Sequence, residues 1–339
     1  MSPPLVVVDA DVLGRERTGD ETYVENLLRR LPALAGGDLR FAAITRRPDL
    51  VPAGVEPIAL LARSQELRMA VLVPRLLRRV RPALAHFQHA LPLLCPCPAV
   101  VTVHDLSFER YPRLMPLRRR AIFKVVVPRA ARTAAAVLAV SGRTRDDLVD
   151  LYGVAPERIT VAPHGVDPAF GPGDGAAGAY LLFVGAIETR KNPLDAVEAA
   201  SAVGLPLVVA GPIRDERLAA ELRRRGADVR GYVPAAQLAE LYRGAACLVF
   251  PSHYEGFGLP VLEAMACGTP VVAYPDAALR EVAGDAAVFG EPGGLAEAIR
   301  RALADRERLV ALGLERARRF TWEETARRTL AVYREVLGR

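Results

Sequence analysis

Residues 180–193 read YLLFVGAIETRKNP. Tyr180 to Val184 is a short, unbroken apolar run, the pattern of a strand covered on both faces. Asn192 predicts an N-cap and Pro193 suits the first helical position, so a helix starts here. Strand, loop and helix in that order make one step of a βα unit, and the same alternation runs both ways from it. Upstream, Leu5 to Val8, Phe41 to Ile44, Ala83 to Phe87, Ala99 to Val103, Val137 to Val140 and Ile159 to Ala162 read as strands. Downstream come Leu207 to Ala210, Val229, Cys247 to Phe250, Val271 to Ala273 and Ala287 to Phe289, with Glu216 to Arg225 among the helices. The class is α/β with parallel sheets. At roughly 150 residues per domain, the chain suits two Rossmann-like halves. Residues 166–179, with Pro168, Pro172 and several glycines, read as a linker with little to bury, which sets the domains at 1–167 and 168–320. In the remaining stretch, 321–339, Trp322, Ala326, Leu330, Tyr333 and Leu337 make the narrow apolar stripe of one last helix.

A hydrophobic content of 51% with 25% charged residues is ordinary for a globular protein and leaves ample material for two buried sheets. The start reads as a first strand rather than a signal peptide, and the longest apolar stretches fall short of the ~18 residues a spanning helix needs. The expectation is a cytoplasmic protein without a transmembrane segment. Four cysteines, Cys95, Cys97, Cys247 and Cys267, are too few for a disulfide scaffold and lack zinc-ligand spacing, so reduced thiols and no metal are expected. Among 45 basic residues only Lys124 and Lys191 are lysine, so either position draws notice. Residues 110–132 hold eight basic residues and no acid. Such a stretch is either a solvated helix face or a docking surface for an anionic membrane or acceptor. Nucleic acid is not expected, because no aromatic pattern accompanies the arginines.

In open α/β sheets ligands bind beyond the carboxyl ends of the strands, so the strand-to-helix loops are where function should lie. After Tyr180 to Val184, the loop from Gly185 places Arg190 and Lys191 beside a helix start, a combination suited to a diphosphate. After Cys247 to Phe250 comes PSHYEGFGLPVLEAMACG, in which Gly256 and Gly258 let the backbone approach a ligand and Pro260 opens a helix that Gly268 ends. Glu255 then lies in the loop, able to accept from sugar hydroxyls, and Glu263 about one turn inside the helix, able to accept from a ribose diol. The plainer readings are a capping acid and a solvated helix residue. His104-Asp105 follows a third strand, where a histidine is more often structural than catalytic. Thr18 to Thr22, with Gly19, reads as a loop before a helix carrying Tyr23, Leu27, Leu31 and Leu34, able to offer amides to a phosphate.

Together these segments resemble the retaining glycosyltransferase family 4. HYEGFGLPVLEAMACGTPVVA is similar to its paired-glutamate motif, FVGAIETRKNP to its phosphate loop, TVHDLSFERYP to its N-domain histidine loop, and AVSGRTRDDLVDLYGVAPERITVAPHGVD to the end of its first domain. The resemblance implies a GT-B fold of two Rossmann-like domains with a cleft between them. The N-terminal domain would bind the acceptor and the C-terminal one the nucleotide sugar, with the last helix crossing back to the first domain. It also implies roles. Arg190 and Lys191 would hold the donor diphosphate, with Gly185 in their loop, and Glu263 the ribose. Glu255, next to Gly256, would hold sugar and diphosphate together with the amides of Phe257, Gly258 and Leu259. His104 would contact the sugar, Ser141 would line the cleft, and Gly19 would approach the phosphate.

Members retain anomeric configuration without a required metal or cofactor, by front-face departure in which the donor phosphate helps deprotonate the acceptor. The HDLSF and EGFGLP segments are similar to mannosyl- or rhamnosyl-type members, which points to GDP-mannose as donor. The acceptor would be a glycan, a lipid-linked sugar or a small molecule in polysaccharide biosynthesis. Two departures from the pattern stand out. His164 occupies a position where asparagine is more usual, and Asp20-Glu21 sit in a loop commonly uncharged or basic. Other readings are a sugar-nucleotide epimerase or phosphorylase on the same fold, or a non-catalytic sugar-nucleotide-binding partner subunit.

Overall fold

A computed structural model describes residues 2–15, 19–112, 117–173 and 178–339, the side chain of Arg119 excepted. Thr18, Arg113 and residues 174–177 of the linker therefore lie outside the described residues. The chain divides into two compact units, residues 1–165 with 322–339, and residues 166–321.

The first unit is built on seven strands: β1 (Leu5–Asp9), β2 (Arg40–Thr45), β3 (Val55–Ala59), β4 (Leu84–Gln88), β5 (Ala99–Val103), β6 (Ala136–Ala139) and β7 (Ile159–Val161). All pair in parallel, in the order β3-β2-β1-β4-β5-β6-β7. The order reverses between β1 and β4, where the chain crosses from one half of the sheet to the other. Central strands are buried along nearly their whole length, as covering on both faces requires; β1 and β4 are each buried at all but one terminal residue and β5 at every residue. Val7, Ile44, Phe87, Val101 and Val137 share one core with Val73 and Leu77 from the helix Val73–Val80.

β3 is a strand the apolar pattern does not reveal. Of its residues Val-Glu-Pro-Ile-Ala only the first is buried, and Pro57, which lacks an N–H, is tolerated because the strand is at the edge. The closing helix Trp322–Val336 belongs to this first unit and packs on the helix Gly19–Ala35. Its Trp322, Ala326, Leu330 and Tyr333 are buried, in keeping with their helical spacing.

Two buried polar clusters tie the first sheet together. Arg68 is fully buried, and its guanidinium forks onto Asp9, with Nη1 to Oδ2 at 3.0 Å and Nη2 to Oδ1 at 2.5 Å, while Nε lies 3.4 Å from Asp11 Oδ1. His86, on β4, is also fully buried; its Nδ1 is 2.6 Å from the Tyr333 hydroxyl and its Nε2 2.7 Å from Thr102 Oγ1.

The second unit carries β8 (Tyr180–Val184), β9 (Leu207–Ala210), β10 (Asp228–Gly231), β11 (Ala245–Phe250), β12 (Val271–Ala273) and β13 (Ala287–Phe289). They too are all parallel, in the order β10-β9-β8-β11-β12-β13, with the reversal between β8 and β11. Phe183, Val209, Val249 and Val272 share a core with Ala196 and Ile299 from flanking helices. The linker has more to bury than its prolines and glycines suggest. Phe170 is buried with its ring edge-on to Tyr242, and Val166 bridges to Thr321.

Burial, reinforced by nearby His104, pushes the His86 imidazole down to about 3. Tyr23, Tyr333 and His104 are its titratable neighbours, and none offers it a carboxylate. Because the folded value lies below the unfolded value of about 6.5, this contribution is complete above that pH. It is lost as pH falls below it, by up to about 1.4 kcal/mol per pH unit. Urea melts followed by hydrogen exchange in the first unit should show its stability dropping between pH 6.5 and 5, and His86→Gln should flatten that slope.

Candidate functional site

In the second unit the chain leaves β8 and β11 in opposite directions, so the loops after these neighbouring strands part and leave a crevice at their carboxyl ends. The loop after β8 runs through a tight turn, Thr189–Lys191, into the helix Pro193–Val203. The loop after β11 ends at Gly258, whose φ is +109°, and opens the helix Leu259–Ala266. Their side chains meet. Lys191 Nζ lies 2.5 Å from Glu255 Oε1 and 5.3 Å over the ring of Phe250. Arg190 donates to the Tyr254 carbonyl at 2.6 Å and to Glu188 at 2.8 Å, with its Nη1 3.8 Å from Glu255.

Lys191 and Glu255 expose only 12% and 10% of their side chains, so the pair is largely out of water. Burial pulls the Lys191 ammonium below its usual range, and the attraction of Glu255 works against that pull. Gly256, Phe257 and Gly258 are buried, Gly185 and Leu259 half-buried, and Phe257 packs edge-on against Phe320. At the start of the helix Leu259–Ala266, Pro260 carries no amide hydrogen and the amides of Val261 and Leu262 donate to the Gly258 carbonyl at 3.0 and 3.3 Å, while the helix dipole is positive at that end. On the same helix Glu263 is half-buried rather than solvated, and its Oε2 accepts from the Tyr242 hydroxyl at 2.9 Å. This crevice is equipped for an anion flanked by hydroxyl groups.

Asn192 differs from the expected N-cap. It stands just before the helix with φ +52°, and its amide donates to Asp195 at 2.6 Å instead of capping backbone amides. Asp195 is also bonded by the Tyr274 hydroxyl, so Asn192 belongs to a side-chain chain that anchors the loop.

In the first unit, residues after β1, β4 and β5 converge. His104 is buried, with Nε2 3.0 Å from Gln88 Oε1 and Nδ1 3.9 Å from Asp20 Oδ1. Its ring lies 5.0 Å from Tyr23, 5.2 Å from His89 and 5.6 Å from His164. Gly19 is exposed and is the first residue of its helix, so Asp20 and Glu21 sit in a first helical turn rather than in a loop. That position suits acids, which complement the dipole. Glu21 accepts from the Gly14 amide at 2.6 Å, folding the preceding turn back onto the helix. Ser141 is fully buried, and its hydroxyl accepts from the Thr144 amide at 3.0 Å as the cap of the helix Gly142–Tyr152. His164 packs between Tyr23 and Trp322.

The basic stretch 110–132 finds acids from outside itself. Arg110 is paired with Asp147 at 2.6 Å and Lys124 with Glu109 at 3.0 Å, while Arg129 and Arg132 donate to carbonyls of Leu93 and Tyr152. Arg118 stays 88% exposed, 3.8 Å from Glu66. What the sequence reading missed is the apolar company. Leu117, Ile122 and Val125 on the helix Leu117–Thr133, and Leu93 and Leu94 on the loop Arg129 holds, are exposed beside these cations. Among the described residues no helix is long and apolar enough to cross a membrane.

Among solved structures, sucrose-phosphate synthase from Thermosynechococcus elongatus superposes with a TM-score of 0.80 at 20% identity over 99% of both chains. Two doubly wound parallel sheets of this kind define the glycosyltransferases of the GT-B fold. A profile described as Glycosyltransferase Family 4 matches residues 17–170, and one described as Glycosyl transferases group 1 matches residues 176–319. The chain is 31% identical over 266 residues to the O-antigen chain mannosyltransferase B of Escherichia coli, covering 70% of each. It is 38% identical over 228 residues to the D-inositol 3-phosphate glycosyltransferase of Acidothermus cellulolyticus, 56% of this chain and about half, 51%, of that protein. The chain belongs to glycosyltransferase family 4 and is a transferase enzyme.

One glycine decides whether the loop after β8 can lie where it does. A Cβ on Gly211 would stand 2.0 Å from the Gly185 carbonyl oxygen, and its φ of +145° already disfavours a side chain. Gly211→Ala should therefore cost at least ~2 kcal/mol in unfolding free energy, by strain and by displacing backbone. Thermal unfolding of the purified variant, set beside Gly204→Ala where a Cβ meets nothing within 4 Å, measures the difference.

Proposed function

We propose that this enzyme is a retaining hexosyltransferase whose second unit holds a nucleoside-diphosphate sugar, GDP-mannose first among donors. The observation that carries the reading is the buried meeting of Lys191, Arg190 and Glu255 beside the positive end of the helix Leu259–Ala266. A diphosphate in that crevice is met by a guanidinium fork, an ammonium and a helix N-terminus. Glu263, turned towards Tyr242, takes the ribose hydroxyls, and Glu255 the sugar. The relative named as a mannosyltransferase supports mannose as the transferred sugar.

Chemically, the bond from the anomeric carbon to the phosphate oxygen breaks and negative charge grows on the leaving diphosphate. Arg190 and Lys191 meet that charge in a water-poor setting, where preorganised cations act most strongly and no metal is called for. The same phosphate accepts the acceptor's proton as its oxygen attacks from the face the leaving group departs. The roles assigned to the two glutamates differ, and so should their variants. Lys191→Ala should reduce turnover by ~10²-fold or more with the fold intact. Glu263→Gln should weaken the free nucleoside diphosphate and the sugar nucleotide alike, whereas Glu255→Gln should lower turnover with little effect on the free diphosphate. Calorimetry with GDP, GDP-mannose, UDP and UDP-glucose on each variant, next to a turnover assay, checks this. Equal losses in both glutamate variants would end the division of labour.

The exposed face made by Leu93, Leu94, Leu117, Ile122 and Val125 with Arg118 extends the reading to the acceptor. Apolar side chains interleaved with cations suit the surface of an anionic bilayer, where a lipid-linked acceptor resides. Each basic residue facing the lipid contributes about 1 kcal/mol, and screening shortens that attraction. In vesicle sedimentation the protein should bind anionic vesicles over neutral ones, less so as salt rises. Changing Leu117, Ile122 and Val125 to Ser should abolish the salt-resistant remainder. Equal binding to both lipids would move the acceptor towards a soluble molecule.

A further inference from the structure

The first sheet reverses between β1 and β4 just as the second does between β8 and β11, and a cluster of titratable side chains gathers at that crevice. Asp20 reaches it from the first turn of the helix after β1, His89 from the residue after β4, and His104 from the residue after β5. One carboxylate oxygen and two ring nitrogens from these residues all lie within 4.8 Å of one another.

The hydrogen bonding of His104 says what is wanting between them. Its Nε2 faces Gln88 Oε1 at 3.0 Å, and an amide oxygen only accepts, so the ring proton sits on Nε2 and Nδ1 carries a lone pair. That Nδ1 is buried without a hydrogen-bond partner and points at Asp20 Oδ1, 3.9 Å away. Two acceptors thus face each other across a gap that suits a cation. His89 adds to the pattern: its Nδ1 is buried and unpartnered, and its backbone is held at φ +58°, uncommon for a residue with a side chain.

We propose that Asp20, His89 and His104 form a site for a divalent transition ion of the zinc class. Two imidazoles and one carboxylate suit zinc, whereas magnesium and calcium prefer all-oxygen shells. In a tetrahedral zinc site the ligand atoms stand about 3.3 Å apart, so the cluster closes by about an ångström around the ion. Asp20, whose side chain is 38% exposed, has room for that movement. Gln88 plays the part of the outer partner that fixes the tautomer and orientation of a metal-bound histidine. Three protein ligands leave a fourth position open to water. The site rests on these residues alone.

The test uses the full chain freed of metal with a chelator and dialysed. Calorimetric titration with zinc should give one ion per chain, magnesium should give no heat of binding, and cobalt(II) should develop the intense visible band of a four-coordinate ion. Asp20→Asn and His89→Ala should each weaken zinc binding by at least ~10-fold, with circular dichroism showing both folded. The double change Cys95→Ser with Cys97→Ser should leave it intact. If His89→Ala fails to fold, the half-exposed Asp20 decides. No stoichiometric zinc, wild-type affinity in Asp20→Asn, or binding lost with the cysteines would overturn the site. Binding of free GDP and UDP, measured in parallel with and without zinc, reads the second unit separately, so failure here and failure of the donor reading are told apart.

Discussion

Lys191 and Glu255 are 64 residues apart in the chain and meet because β8 and β11 are hydrogen-bonded neighbours from which the chain departs in opposite directions. That reversal is a topological constraint, since parallel strands joined by right-handed crossovers can be laid down to one side and then the other, leaving an uncovered gap where the direction changes. The gap exposes strand ends and helix starts, the two places where backbone polar groups lack partners. Charged side chains placed there are drawn from water but not sealed from a ligand. A buried ion pair is seldom a source of stability, because desolvation offsets the attraction. Lys191 and Glu255 instead hold each other in place at the gap, at 2.5 Å.

How much of this could be read from the sequence depends on how local the cause is. Strands such as Tyr180–Val184 and Ala99–Val103 announce themselves because covering on both faces forces unbroken apolar runs. β3 does not, because an edge strand with Glu56 and Pro57 has no buried face to declare. Glu255 and Lys191 were visible as residue types in strand-to-helix loops and Glu263 about one turn inside a helix, yet their contacts with one another and with Tyr242 were not, since each spans tens of residues. His89 was invisible for a further reason. Its importance comes from a left-handed backbone and from loops of three strands converging, neither of which leaves a mark in the string HFQHALP. In the arginine-rich stretch the partners of Arg110 and Lys124, Asp147 and Glu109, lie outside residues 110–132, so the stretch itself does not show which of its cations are paired.

The two units solve the same architectural problem with different chemistry at the reversal. In the second, cations dominate the loop after β8. In the first, carboxylates and imidazoles do, and the strand end nearest them is braced by Arg68, whose buried fork holds Asp9 and stands beside Asp11. A fully buried guanidinium between two acids ties the carboxyl end of β1 to the helical segment that follows β3. Precise placement of groups relies on such outer supports more than on the groups themselves.

The closing helix has an implication for the order in which the protein is made. Trp322 and Tyr333 are buried in the first unit, and the Tyr333 hydroxyl completes the hydrogen bonds of His86 at the middle of its sheet. During synthesis, that unit's interior lacks these side chains until residues 322–333 have been made. The second unit, continuous from 166 to 321, has all its strands well before then. The usual vectorial order, amino-terminal domain first, is therefore inverted here, and the nascent first half must wait with an open flank while its successor matures ahead of it.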